Sequence, residues 1–143
     1  MDIKNRVTIT FLSKSENESF ARMCVAALLM QADPTIEELA DVKTAVSEAV
    51  TNAIVHGYGH SDGDIFMECI LEEKLITIVV KDNGKGIEDV AKAREPLFTT
   101  NPEMERSGMG FTVMETFMDK LEVESIVGVG TKVTMKKRIG SRL

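Results

Sequence analysis

The chain has 143 residues, and 17 Lys and Arg stand against 23 Asp and Glu, a formal charge of −6. That length predicts a single domain over 1–143, and the acidic balance argues against direct nucleic-acid binding, which usually brings a basic excess. It leaves room for a polyanionic ligand, because backbone N–H groups and a metal ion can hold phosphate. Apolar residues at 43% and charged residues at 28% exclude disorder. No run of 18 apolar residues suggests a membrane span, and the first residues lack the apolar centre of a signal peptide. The expectation is a cytoplasmic protein without a membrane partner. Cys24 and Cys69 lie in apolar stretches and read as small buried hydrophobes in a reducing compartment.

Val7, Ile9 and Phe11 alternate with Thr8 and Thr10, which predicts a first strand over about 3–11. Ser15 and Glu18 have capping-box spacing, and Phe20, Met23, Cys24, Ala27 and Leu28 follow at helical spacing. Asp33-Pro34 ends that helix. Thr35 and Glu38 form a second capping box, and an apolar stripe from Ile36 through Leu39, Val42, Val46, Ala49, Val50 and Ala53 predicts a helix to about Val55. A loop over 57–63 precedes a hairpin of 64–71 and 75–81. The polar turn 82–86 leads to a short helix over 88–94. Residues 95–109 lack periodicity and make a long connection, a type that is usually functional or mobile. A helix over 109–118 and a hairpin of 121–126 and 131–138 close the chain. The order β-α-α-β-β-α-α-β-β predicts an α+β fold, a two-layer sandwich with helices on one face of a mixed, mostly antiparallel sheet.

Several short patterns carry chemistry. Glu48 and Asn52, four apart, share one helix face. They suit either a solvated surface or a site in which Asn52 offers an amide oxygen to Mg²⁺ and Glu48 handles a proton. Asp82, Gly84 and Gly86 form Asp-x-Gly-x-Gly after an apolar strand. This is either an ordinary turn or a place where a carboxylate reads a base and glycines let the backbone approach the ring. Gly108, Met109 and Gly110 precede a helix and suit either a hinge or a phosphate cradle. They match neither a Walker A loop nor a Rossmann fingerprint. Arg106 is either a surface arginine or a group that steadies a γ-phosphate. Thr131, after Gly128-Val129-Gly130, gains interest only beside Asp82.

The order of these motifs resembles the GHKL (Bergerat-fold) ATPase superfamily of gyrase, Hsp90, histidine kinases and MutL, over about residues 40–136. The stretches Ser15 to Arg22, Val46 to Tyr58, Pro96 to Thr100 and Glu105 to Phe111 narrow it. They are similar to the sporulation anti-sigma-F factors, a family of serine kinases, over nearly the whole chain.

The resemblance implies ATP or ADP and Mg²⁺ as cofactors. By position, Asn52 would coordinate Mg²⁺ and Glu48 would be the general base toward an acceptor serine. Asp82 would read the adenine amino group, with Gly84, Gly86 and Thr131 completing the pocket. Residues 95–110 would be an ATP lid, carrying Thr99, Gly108, Met109 and Gly110 near the nucleotide and Arg106 near the γ-phosphate. The implied partners are sporulation sigma factor F, an anti-anti-sigma factor phosphorylated on serine, and a second copy of the chain in a homodimer. Residues 1–34 would form the dimer and partner surface, with Arg22 and Glu16 touching partners. The alternatives are a general-stress anti-sigma-B kinase, or a nucleotide-switched sigma-binding module with negligible chemistry. A detached histidine-kinase domain is disfavoured by the first strand and helix, and neither His56 nor His60 has a phospho-acceptor setting.

Overall fold

The computed structural model describes residues 5–95 and 110–140. Strand β1 (Asn5–Leu12) leads to helix α1 (Glu16–Leu29), a short 3₁₀ turn, and helix α2 (Ile36–Asn52). A π-helical turn (Ala53–Gly57) follows α2 directly. Strands β2 (Asp64–Glu72) and β3 (Leu75–Asp82) form a tight hairpin whose Glu73 takes a positive φ of 55°. Then come the single-turn helix α3 (Val90–Ala93), helix α4 (Gly110–Phe117), and the hairpin of β4 (Lys120–Ile126) and β5 (Gly130–Arg138).

The strands form one sheet in the order β1-β2-β3-β5-β4. Every pairing among the described residues is antiparallel, where a mixed sheet was expected. The reason is topological. The helical crossover after β3 lets β4 run in the same direction as β3, but β5 folds back between them and separates the two. The α+β sandwich itself stands. Met67, Leu71, Ile76, Ile78 and Met135 are buried on one sheet face, beneath a helical layer in which α2 packs against both α1 and α4. Cys69 is buried in this core and Cys24 packs against it, and both thiols are free. Burial pushes the Cys69 thiol up to about 12, which leaves it protonated and inert. No helix among the described residues is long and apolar enough to cross a membrane.

Three local expectations are corrected. Ser15 does not close a capping box: its backbone is already helical (φ −55°, ψ −34°) and its side chain makes no capping bond. Glu18 turns instead to Arg22, at 3.1 Å. Phe20 and Met23, read as part of the packed stripe of α1, are 55% and 61% exposed. The buried side of α1 carries Ala21, Val25, Leu28 and Leu29. A periodic pattern shows that an amphipathic face exists, but two apolar stripes compete here and the one that fits α2 is the buried one. Ile36, at the first turn of α2, is likewise exposed. The Thr35–Glu38 capping box is present in both directions, at 3.0 and 2.8 Å.

Candidate functional site

A cleft of about 590 Å³ opens between the end of α2 and the β3–β5 side of the sheet, a size typical of small-ligand sites. Its lining includes Asn52, Asp82, Gly86, Gly110 and Thr131, so five expected site residues that lie far apart in sequence meet in one place. Thr99, Arg106, Gly108 and Met109, and with them most of the expected lid, lie outside the described residues.

Asn52 is the last residue of α2, where the helix widens into the π turn, with the Tyr58 N–H bonded to the Ala53 carbonyl at 3.0 Å. Such widenings are frequent at functional sites. This one carries His56 and Gly57 onto the cleft wall, where a continued α-helix was expected to about Val55. A methyl group built on Gly110 would lie 3.1 Å from both amide heteroatoms of Asn52 and 3.4 Å from Glu48 Oε2. The start of α4 therefore sits directly over the Glu48–Asn52 pair. Glu48 also borders a second depression, with Arg22, Lys43, Thr44 and Ser47. It is not itself among the cleft-lining residues, although its Oε2 lies close beside Gly110, which is.

Asp82, at the end of β3, is buried. Burial raises its carboxyl above the usual carboxylate range, and hydrogen bonds from the backbone N–H groups of Gly84 and Thr131 oppose the rise. The Gly84 N–H reaches Asp82 Oδ1 at 2.9 Å. Thr131 lies opposite Asp82 in the β3–β5 ladder, so both are on the inner face of the sheet. The polar turn after β3 is held on both flanks. The Lys85 N–H donates to the Gly57 carbonyl at 2.9 Å, and the Gly128 N–H donates to the Lys85 carbonyl at 2.8 Å. The Asn83 N–H donates to the Tyr58 hydroxyl at 2.7 Å. A side chain on Gly84 would collide with the Gly57 backbone, and Gly86 combines a φ of +79° with close approach to Ile126.

Arg22 belongs to a separate polar cluster between α1 and α2. Its guanidinium donates to Glu18 at 3.1 Å, Ser47 at 3.2 Å and Ser19 at 3.1 Å. Glu16 is not part of it. Six positions earlier, at about 100° per residue, Glu16 points to a different face and is exposed.

Sequence reasoning missed Gly57, His56, Lys85 and Ile87 on the cleft wall. Gly57 matters because a Cβ there would lie 2.9 Å from the Asp82 carboxylate. The only signal available was its place just after the Glu48–Asn52 helix.

Residues 11–137 match the family described as histidine kinase-like ATPase domain. Over 138 residues the chain is 61% identical to the anti-sigma F factor of Clostridium novyi, covering 96% of each protein. Over 141 residues it is 62% identical to the anti-sigma F factor of a Thermoanaerobacter species, covering 99% of each. This chain belongs to the anti-sigma F factor family. In fold it is also similar to the crystal structure of the RsbU and RsbW domains of Rv1364c from Mycobacterium tuberculosis. There the TM-score is 0.69 at 19% identity, over 95% of this chain and 33% of that longer one. The expected histidine kinase-like ATPase architecture is thus the observed one.

Proposed function

We propose that this chain is a cytoplasmic, ATP-dependent serine kinase that also binds and inhibits sporulation sigma factor F. Its phosphoryl acceptor is a serine on a small anti-anti-sigma protein. The observation that carries the reading is the position of Glu48. It adjoins Asn52 and Gly110 on the cleft side and Arg22, Lys43 and Ser47 on the other. A nucleotide in the cleft and a hydroxyl arriving over α2 would meet at this carboxylate.

The residues present fit a magnesium nucleotide. Mg²⁺ favours few protein oxygens and keeps water and phosphate as its other ligands. Asn52 brings one amide oxygen, and Gly110 leaves space beside it. Bound there, Mg²⁺ would neutralise phosphate charge. Asp82 would accept a hydrogen bond from the amino group of adenine with Thr131 beside it; Gly86 lies on the cleft wall, and Gly84, which is not among the cleft-lining residues, lets the turn pack against the Gly57 backbone. Glu48 would take the hydroxyl proton of the acceptor serine, and the bound nucleotide would supply the phosphoryl group. Thr99, Gly108, Met109 and Gly110 contact the nucleotide, and Arg106 steadies the transferring charge. Arg22, held by Glu18, Ser19 and Ser47, and exposed Glu16 contact partners, and the working unit is a homodimer.

The test incubates the protein with labelled ATP, Mg²⁺ and an anti-anti-sigma protein, beside Glu48→Gln. The variant is expected to transfer phosphate about 10²- to 10⁴-fold more slowly, the usual contribution of a positioned base, with ATP affinity nearly unchanged. An equally fast variant removes Glu48 as the base. A native protein that binds ATP and sigma factor yet transfers nothing makes the chain a nucleotide-switched binding module.

A further inference from the structure

We infer that Lys43 is a specificity-determining residue for the phosphoryl acceptor, and that its ammonium pairs with an acidic side chain two positions from the acceptor serine. The inference rests on the kinase reading above. It concerns the depression that Glu48 shares with Arg22, Ala40, Lys43, Thr44 and Ser47, a concavity of about 410 Å³ where α1 meets α2.

The polar groups of this depression differ in how far they are already occupied. Arg22 donates to Glu18, Ser19 and Ser47, and the Glu18 carboxylate balances its charge at 3.1 Å. The Ser47 hydroxyl, held by Arg22, also lies 3.4 Å from Glu18. The Thr44 hydroxyl donates to the Ala40 carbonyl of its own helix at 2.9 Å. Lys43 is the exception. It is half-buried, and among the described residues its ammonium makes no ion pair. On a chain with a formal charge of −6, this depression therefore presents a cation with no carboxylate against it.

The spacing says what that cation can read. Lys43 and Glu48 are five residues apart on α2, about 7.5 Å along the axis at 1.5 Å per residue. An extended segment advances about 3.3 Å per residue, and its alternate side chains project from one face. A serine placed at Glu48 thus brings the side chain two positions away within reach of Lys43, whose charge rides on a flexible four-carbon stem. A carboxylate at that position meets its counter-ion, whereas a lysine or arginine there is repelled. Such complementarity selects partners more than it adds affinity. Because Glu18 already balances Arg22, the charge that selects is that of Lys43.

The test measures phosphoryl transfer from ATP and Mg²⁺ to an anti-anti-sigma protein over a range of acceptor concentrations, with melting curves as the folding control. Lys43→Gln is expected to raise the acceptor KM about three- to fivefold, the size of one partly exposed ion pair, with kcat and ATP affinity unchanged. Lys43→Arg is expected to keep the native KM. Neutralising the acidic side chain two positions from the acceptor serine should raise KM on the native chain by the same factor and add nothing on Lys43→Gln. A Lys43→Gln variant with native acceptor KM, factors that multiply when both changes are combined, or an efficient acceptor with no acidic side chain there overturns the proposal and leaves the kinase reading intact. So does a Lys43→Gln variant whose only loss is in sigma factor binding, which would make Lys43 a contact for that partner. A native chain that transfers no phosphate overturns both.

Discussion

Asp82 is a buried carboxylate placed where solvation is poor, and its role can be separated into a binding part and a stability part. For binding, Asp82→Asn is expected to weaken ATP affinity about 10- to 100-fold, the range for a hydrogen bond to a charged group. Unchanged affinity by titration calorimetry would take Asp82 out of the base pocket. For stability, burial raises the carboxyl above its ordinary 3.8 despite the Gly84 and Thr131 N–H bonds. Between that value and the raised one the folded protein holds more protons than the unfolded chain. Stability contributed at this group is therefore present in acid and lost as pH rises through the folded value. Asp82→Asn removes the ionisation. The difference in Tm, variant minus native, is expected to be more positive at about pH 7 than at about pH 4. A difference independent of pH would mean that the carboxyl is not destabilised by its surroundings.

At the scale of elements, the two helix starts form a natural control pair. Thr35 and Glu38 exchange capping bonds at the start of α2, whereas the Ser15 side chain makes none at the start of α1. Thr35→Ala is expected to cost about 1 kcal/mol of folding stability, and Ser15→Ala close to nothing, as read by urea unfolding. Equal losses would contradict this distinction. The end of α2 matters more for function. Its passage into a π turn brings His56 and Gly57 to the cleft wall and lets the Gly57 carbonyl accept the Lys85 N–H. The helix that presents Asn52 thus also anchors the turn that follows Asp82.

Across the whole molecule, β1 lies at one edge of the sheet and, among the described residues, pairs only with β2. Thr8 and Thr10 are exposed on its outer face. Open edges invite pairing with another chain, so this edge is a route to the proposed homodimer. The double variant Thr8→Glu, Thr10→Glu is expected to shift sedimentation equilibrium toward monomer. A dimer that survives it would place the interface elsewhere. The described cleft wall is carried by β3 and β5, whereas β1 is separated from β3 by β2.

Much of the plan was legible in the sequence where its cause is local. Alternation marked the strands, Thr35 and Glu38 marked a helix start, and the spacing of Glu48 and Asn52 put them on one face. The resemblance of the motif order to a known ATPase superfamily grouped Asn52, Asp82 and Thr131 in one site; patterning alone ran α2 on to about Val55 and did not place Asn52 at an element end. Phe20, Met23 and Ile36 were misread because periodicity does not say which apolar stripe a neighbouring helix will cover. The antiparallel character of every described pairing and the opposition of Thr131 and Asp82 arise from β5 inserting between β3 and β4. No local pattern encodes that insertion. The acidic composition was the first thing the chain declared, and by itself it only argued against nucleic acid. What tertiary structure added is the meeting of a buried carboxylate, an amide and a hydroxyl at one cleft. Chain crossover and strand register bring together groups that the sequence keeps up to 79 positions apart, Asn52 to Thr131.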